Sequence, residues 1–509
     1  MLSEPTIILG PPGTGKTTRL LSLVEQFLES GVRPERIGYF AFTRAAAHEA
    51  MSRAMARFSI TDKDLPYFKT LHSLAYSQLG ISRSQIMSQT HYAEVAGWLK
   101  IGGFVPSAEL EQGPYLDFGY GDKFLELISM SRLTCRPLRE MYNQSTVPLK
   151  TDWSRVDYVN RGLMHYKNTM DLFDYTDLLE QFIKRDLAPK LDVVFIDEAQ
   201  DLSAIQWKMV ELISAKAGQV FIAGDDDQAI YRWAGADVDS FINLQGKIEI
   251  LGKSYRIPML HHAVSQKLVE RIPKRRPKEF QPRDELGTVN WHRHSEEVPL
   301  DQGQWLLLSR TRKGAQALEE EVRQRGLLYT FNNSRSIDSD VVHAVRLWEG
   351  LRNGEKARAS NIRTIYKYML LNVQIAYGYK SLPNVRDDTL LSIGDLMRDH
   401  GLLHKLPWDE GLGRISEKDK RYLKACFSKG QRLDTAPRIV ISTIHAAKGR
   451  EADNVLLTTD SPGSQTSMWR KDSYQEDDET RVFYVGLTRA KEHLHLIHPM
   501  RTRGFSIPH

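Results

Sequence analysis

Gly10-Pro11-Pro12-Gly13-Thr14-Gly15-Lys16-Thr17 matches the pattern GxxxxGK[ST] at every fixed position, and its flanks leave this chain little choice of fold. Thr6-Ile7-Ile8-Leu9 before it is a short β-type run. Thr18-Arg19-Leu20-Leu21-Ser22-Leu23-Val24 with Phe27-Leu28 after it repeats apolar residues at helical spacing. A strand that turns through glycines directly into a helix opens an α/β unit built on a parallel sheet. The glycines let backbone N–H groups converge on a phosphate, and the helix N-terminus adds partial positive charge. In this setting Lys16 reaches the β/γ-phosphates and the Thr17 hydroxyl ligates Mg²⁺. The chain is read as binding a nucleoside triphosphate.

A second part of the same site lies far downstream. Leu191-Asp192-Val193-Val194-Phe195-Ile196 is apolar apart from one Asp and ends in Asp197-Glu198-Ala199-Gln200-Asp201. A carboxylate at the C-terminal tip of a buried parallel strand can hold Mg²⁺ beside the phosphate loop, which makes Asp197 the metal-side candidate. Glu198 is then placed to orient or deprotonate the attacking water.

Length and composition bound the rest. With 509 residues, 41% hydrophobic and 26% charged, the chain is globular and long enough for several compact units. A net charge of +5 is too small over this length to establish a nucleic-acid partner. The charge is patchy, because Lys267, Arg271, Lys274, Arg275, Arg276, Lys278 and Arg283 fall within one stretch. A solvated basic loop and a polyanion-binding patch both fit that stretch. Two cysteines, Cys135 and Cys426, allow neither a disulfide framework nor a zinc cluster. No signal-type N-terminus and no apolar segment of membrane length are visible, so no membrane partner is expected and the cytoplasm is the expected compartment. The phosphate loop begins ten residues from the start, so no N-terminal targeting or regulatory domain is expected.

Strand-like runs at Ile37–Phe42, Val193–Ile196, Val220–Ala223 and Ile248–Leu251 alternate with helical patterns. A second set follows at Trp305–Leu308, Ile439–Ser442, Val455–Thr458 and Leu494–Ile497. Two parallel-sheet α/β domains meeting near Gly252 are predicted, each with a mainly helical insertion. The first domain takes 1–81 and 191–251, with its insertion at 82–190. The second takes 252–332 and 437–509, with its insertion at 333–436.

At this point the residues resemble a known family. Gly224-Asp225-Asp226-Asp227-Gln228-Ala229-Ile230-Tyr231-Arg232-Trp233-Ala234-Gly235-Ala236 resembles motif III of superfamily 1 DNA helicases of the UvrD/Rep/PcrA type, and Ser254-Tyr255-Arg256 resembles motif IV. Ile441–Glu451 resembles motif V, and Tyr484–Ala490 resembles motif VI. Phe42-Thr43-Arg44-Ala45-Ala46 and Thr70-Leu71-His72-Ser73 resemble motifs Ia and Ib, and Asp174–Leu179 is similar to the segment before Walker B.

The resemblance implies two RecA-like motor domains and an ATP-dependent helicase or translocase, moving 3′→5′ on single-stranded DNA. ATP hydrolysis in the inter-domain cleft would be coupled to strand separation. Gly10, Pro11, Pro12, Gly13, Thr14, Gly15, Lys16, Thr17 and Thr18 would cradle ATP, with Mg²⁺ as cofactor. Gln228 would sense the γ-phosphate, and Arg256 and Arg489, both on the second sheet, would act as arginine fingers. Tyr255 would stack on the base and Glu451 would contact the ribose. Phe42, Thr43, His72, Tyr231, Trp233, Arg310, Thr443 and His445 would line the DNA track, with Trp233 stacking on a base. Single-stranded DNA, junctions with duplex, and replication or repair proteins are the implied partners, for a monomer or weakly self-associating protein in a bacterial or phage-infected cytosol.

The chain departs from the family pattern in several places. It lacks the upstream glutamine segment that reads adenine, so stacking and the triphosphate cradle are expected to dominate recognition. Ala234 stands where the family has Arg, and Arg450 where it has Leu. After motif VI only 498–509 follow, with Phe505 as the sole aromatic. The insertion at 333–436 is short, as in a compact, phage-like member. A translocase that strips proteins from DNA with little unwinding is therefore one alternative. A nucleotide-switched DNA-binding scaffold is the other.

Overall fold

The computed structural model describes residues 4–58, 60–101, 123–144, 152–461, 474–499 and 504–508. Two compact units emerge: Met1–Thr288 with Pro462–Lys491 and Ile507–His509, and Val289–Ser461 with Glu492–Ser506. Among the described residues no helix is long and apolar enough to cross a membrane.

The first unit is built on six strands: β1 (Thr6–Leu9), β2 (Ile37–Phe40), β3 (Phe68–Lys69), β4 (Leu191–Ile196), β5 (Ala217–Gly224) and β6 (Lys247–Ile250). Their order is β3-β2-β4-β5-β1-β6, and every pairing is parallel. Such a sheet is covered on both faces, which is why its central strands read as unbroken apolar runs. Ile7, Leu9, Val194 and Ile196 pack on one face with Leu178, Phe182, Met209 and Val210 of the helices Tyr175–Lys184 and Ala204–Ser214. Ile8, Val193 and Phe195 pack on the other with Leu20, Val24, Ala50 and Ala54 of Lys16–Glu29 and Arg44–Phe58. The order places the C-terminal ends of β1 and β4 on either side of β5, so the phosphate loop and the Asp197-Glu198 tip share one rim of the sheet.

The insertion after residue 81 is helical where described, with Gln89–Leu99, Lys123–Leu133, Leu138–Gln144 and Trp153–Met170. Val95, Leu99, Ile128, Val159 and Leu163 form a small core of its own. A buried ion cluster joins it to the rest of the unit. Lys167, 3% exposed, meets Asp174 at 2.6 Å and Asp177 at 2.7 Å, and Arg132 reaches the same two carboxylates and Glu180. Asp174 and Asp177 also form a reciprocal capping box at the start of Tyr175–Lys184.

In the second unit the strands are β7 (Thr288–His292), β8 (Trp305–Ser309), β9 (Tyr329–Phe331), β10 (Ser334–Arg335), β13 (Ile439–Thr443), β14 (Ala452–Thr458) and β15 (Ala490–Ile497). Between β10 and β13 lies a two-stranded antiparallel ribbon, β11 (Ala357–Arg358) with β12 (Leu390–Leu391). The seven-stranded sheet runs β10-β9-β13-β8-β14-β15-β7, and its central strands β9, β13, β8 and β14 are parallel. The segment 333–436 is mainly helical but has no separate core: Trp348, Ile362, Tyr366 and Tyr422 share one apolar cluster with Leu307, Ile441 and Leu456 of the sheet. Both sheets have the parallel α/β architecture expected from the alternating runs. The short strands β3, β7 and β9 carry too little periodicity to be read from sequence.

Candidate functional site

Backbone conformation shapes the phosphate loop. Gly10 donates its N–H to the Gly224 carbonyl at 3.1 Å, anchoring the end of β1 to β5. A Cβ at Gly10 would lie 1.8 Å from Lys16 Cγ, so the lysine stem passes where only glycine leaves room. Gly13 and Gly15 have φ of +74° and +81°, in the left-handed region that glycine adopts at little cost. Gly15 is the N-cap of Lys16–Glu29 and supplies no side-chain cap, while Thr14 Oγ1 donates to the Pro11 carbonyl at 2.8 Å. Pro12 is buried in the loop, and Thr18 is exposed on the first helical turn.

The two ends of the site meet across 180 residues. Thr17 Oγ1 donates to Asp197 Oδ2 at 3.2 Å, and Lys16 Nζ lies 3.0 Å from the Gly10 carbonyl and 3.6 Å from Glu198 Oε1. Asp197 is 1% exposed, and Tyr39 of β2 donates its hydroxyl to the same Oδ2 at 2.8 Å. Burial and the neighbouring Glu198 push the Asp197 carboxyl up to about 6, against the pull of Lys16. A hydroxyl beside a carboxylate is a hard-oxygen donor set, which suits Mg²⁺. Glu198 has a left-handed backbone, φ 54°. Gln200 donates to Glu198 Oε2 at 2.6 Å and to Asp201 Oδ2 at 3.2 Å, and its Oε1 accepts the Asp225 N–H at 2.9 Å.

That last bond leads to the turn after β5. Gln228 Nε2 donates to Asp225 Oδ2 at 2.7 Å, and Arg489 Nη2 donates to Gln228 Oε1 at 3.1 Å. Arg489 is 1% exposed, and its Nε donates to the Val485 carbonyl at the end of the helix Tyr474–Leu487. Ser254 Oγ donates to the Pro12 carbonyl and the Tyr255 N–H to the Gly13 carbonyl, both at 2.8 Å. Arg256 backs directly onto the loop, since a Cβ at Gly13 would sit 2.4 Å from its own Cβ. The Tyr255 ring is 75% exposed. Neither arginine is in a strand: Arg256 follows β6 and Arg489 precedes β15, and both belong to the first compact unit with the phosphate loop.

The basic run is largely committed inside the same unit. Lys278, 1% exposed at its side chain, lies 3.1, 2.5 and 3.0 Å from Asp225, Asp226 and Asp227. Arg275 pairs with Asp227, and the Arg276 N–H donates to Asp226 Oδ2 at 2.8 Å.

Among the candidate DNA contacts, Phe42 and Tyr231 stack at 5.6 Å between centroids and 25° between planes. Trp233 is 40% exposed in the adjoining turn Arg232–Ala234. Thr43 Oγ1 accepts the Ala46 N–H at 3.2 Å, opening the helix Arg44–Phe58. His72, half-buried in the first turn of Leu71–Leu79, lies edge-on to Tyr175. Burial and the Arg44 charge push its imidazole down to about 4, so it is neutral near pH 7. Arg310, Thr443, His445 and Glu451 belong to the second unit. Arg310 follows β8, Thr443 ends β13, and Thr443 Oγ1 accepts the Ala446 N–H in the turn that carries His445. Glu451 is exposed just before β14.

Sequence reasoning passed over Tyr39, Gln200, Ser254 and Lys278. Gln200 stands inside the Asp197–Asp201 segment and was open to notice. Tyr39 and Lys278 carry no local signal, because their partners lie in remote elements.

With this geometry in place, comparison with known proteins is informative. The UvrD/REP helicase N-terminal domain profile matches residues 1–249, and the UvrD-like helicase C-terminal domain profile matches residues 423–500. YjcD of Bacillus subtilis, named for an ATP-dependent DNA helicase, is 23% identical over 98% of this chain and 78% of its own length. The ATP-dependent DNA helicase PcrA of Bacillus subtilis is 21% identical over 98% of this chain and 81% of its own. The ATP-dependent DNA helicase Rep of Buchnera aphidicola is 26% identical over 48% of this chain and 37% of its own.

Proposed function

Because this chain belongs to the UvrD/REP helicase family, we propose that it is an ATP-driven motor that moves 3′→5′ along single-stranded DNA and parts the strands at a duplex junction. The observation that carries the reading is the joining of Lys16 and Thr17 to Glu198 and Asp197 across 180 residues at one rim of the first sheet. That is the pairing ATP hydrolysis needs.

In this reading the backbone of Gly10–Thr17 binds the phosphates and Lys16 reaches the terminal ones. Thr17 and Asp197 would hold Mg²⁺, which would supply positive charge to neutralise the phosphate oxygens. Glu198, positioned by Gln200, takes a proton from the attacking water at its carboxylate. Gln228 and Arg489, already hydrogen-bonded to each other, meet the γ-phosphoryl oxygens together with Arg256. Tyr255 offers an exposed ring to the base. On the DNA side, Trp233 stacks on a base beside the Phe42–Tyr231 pair, and Thr43 and His72 contact the strand. In the second unit, Arg310, Thr443 and His445 are read as further contacts to single-stranded DNA. The polarity follows from the family resemblance.

ATPase and strand separation are measured side by side on 3′-tailed, 5′-tailed and blunt duplexes. ATPase stimulated by single strands, with unwinding restricted to the 3′-tailed substrate, is expected. Hydrolysis indifferent to DNA, or a preference for 5′ tails, overturns the proposal.

A further inference from the structure

Asp225-Asp226-Asp227 is an unusual thing to bury. Three consecutive carboxylates, each no more than 1% exposed, precede Gln228 directly. Without counter-charge such a turn would repel itself and either neutralise or unfold. The counter-charge comes from a segment about fifty residues later in the chain. Lys278 Nζ lies within 3.1 Å of all three carboxylates, and Arg275 forms a two-point pair with Asp227, Nε to Oδ1 at 2.8 Å and Nη2 to Oδ2 at 2.5 Å. Arg481, also 1% exposed, bridges the same parts from the helix Tyr474–Leu487. Its Nε donates to the Asp226 carbonyl at 2.9 Å and its Nη2 to the Lys274 carbonyl at 3.2 Å.

This frame ends on the groups assigned above to the γ-phosphate. Asp225 Oδ2, 2.7 Å from the Gln228 amide, belongs to the carboxylate whose Oδ1 faces Lys278. Arg489, which bonds the other end of that amide, lies eight residues past Arg481 on the same chain segment. The orientation of Gln228 is therefore set from one side by an aspartate that Lys278 holds, and from the other by an arginine that follows a clamped helix.

We propose that Lys278, supported by Arg275 and Arg481, is a positioning residue for hydrolysis, holding Asp225 so that Gln228 and Arg489 keep their register. Lys278 touches no substrate. Its contribution falls on turnover rather than on nucleotide or DNA binding, because the side chain it positions through Asp225 is Gln228, assigned above to the γ-phosphoryl oxygens. The inference rests on the ATPase reading above and deepens it.

The test compares steady-state ATPase on saturating single-stranded DNA for the intact chain and for Lys278→Met, Lys278→Arg and Arg275→Gln. Misplacement of a reacting group by about 1 Å costs on the order of 100-fold, so kcat in Lys278→Met should fall about 10- to 100-fold. KM for ATP and affinity for a labelled oligonucleotide should stay within a few-fold. Lys278→Arg should recover most of the lost turnover. Combining Lys278→Met with Gln228→Ala should cost little more than Gln228→Ala alone, since both act through one amide. Arg275 sits at the more open edge of the frame, so Arg275→Gln, with a smaller fall in kcat at constant KM, carries the test if Lys278→Met does not fold. Turnover within twofold of the parent in folded Lys278→Met, or in Arg275→Gln where Lys278→Met does not fold, overturns the inference, as do losses that multiply with Gln228→Ala. A parent chain without DNA-stimulated ATPase sinks the ATPase reading and this inference with it.

Discussion

Glu198 combines a strained backbone with the role of base proposed above. Its backbone lies at φ 54°, a conformation that costs a residue with a Cβ about 1–2 kcal/mol. Two contacts hold it there: its own N–H donates to Asp197 Oδ1 at 2.9 Å, and Gln200 grips its carboxylate. The strain turns the side chain from the tip of β4 towards Lys16. Glu198→Gln keeps shape and backbone but removes the proton acceptor. ATP binding, followed by a fluorescent analogue, should stay within a few-fold, while single-turnover hydrolysis falls about 10²–10⁴-fold. Turnover near the parent rate would remove Glu198 from the role of base. Asp197 is not expected to take over that role, because its Oδ2 accepts from the Tyr39 and Thr17 hydroxyls and its Oδ1 from the Glu198 N–H.

At the scale of elements, ion clusters and paired histidines link neighbouring segments beside their apolar cores. The insertion after residue 81 meets the helix Tyr175–Lys184 through Lys167 and Arg132, which surround Asp174 and Asp177. Removing one member of such a cluster leaves buried charge without compensation. Lys167→Met should lower unfolding free energy by about 3–5 kcal/mol, read from urea melts. A change below 1 kcal/mol would show that Arg132 alone satisfies both carboxylates. In the second unit, His495 of β15 and His292 of β7 approach at 2.9 Å between Nδ1 and Nε2. Burial, with the neighbouring His292 and His493, pushes His495 down to about 4. Unfolded histidine titrates near 6.5, so between pH 6.5 and 4 the unfolded chain binds a proton that the folded chain refuses. Its contribution to stability is therefore intact above pH 6.5 and lost as pH falls. The urea midpoint should drop from pH 7 to pH 5, and the drop should be smaller in His495→Gln. An identical pH dependence in the variant would assign the effect to other groups.

For the whole molecule, charge is nearly balanced, with 69 basic and 64 acidic residues. Within the basic stretch, Arg275 and Lys278 are neutralised by Asp225–Asp227 and Lys274 by Asp239, so these charges add little to a positive field that could attract a polyanion. In the proposed function, binding to single strands depends on local contacts, and stacking on the exposed Trp233 is one that salt would not screen. Trp233→Ala should weaken binding to an oligonucleotide by about 1–3 kcal/mol. The slope of log K against log salt should remain that of the parent, since no phosphate contact is lost. Fluorescence anisotropy at several salt concentrations measures both. A shallower slope with unchanged affinity at low salt would mean that Trp233 organises cationic contacts instead of stacking.

Elements whose signals are local were legible from the residues alone. The glycines of Gly10–Gly15, the unbroken apolar run of β4 and the strand-like runs around Val220 and Ile439 each state their conformation within a few residues, because backbone sterics and two-faced burial act over that range. They also marked Lys16, Thr17, Asp197 and Glu198 as parts of one chemistry. Tertiary structure alone decided what those groups lean on. Tyr39 reaches Asp197 only because β2 and β4 are neighbours in the sheet, and Gln200 reaches Asp225 only because β5 lies next to β4. The basic stretch from Lys267 to Arg283 reads equally well as a solvated loop or a polyanion patch. Only packing against the turn after β5 sets two of its members, Arg275 and Lys278, against Asp225, Asp226 and Asp227. A charge shows its sign in the sequence, but the water it loses and the partner it gains depend on which remote segments the fold brings beside it.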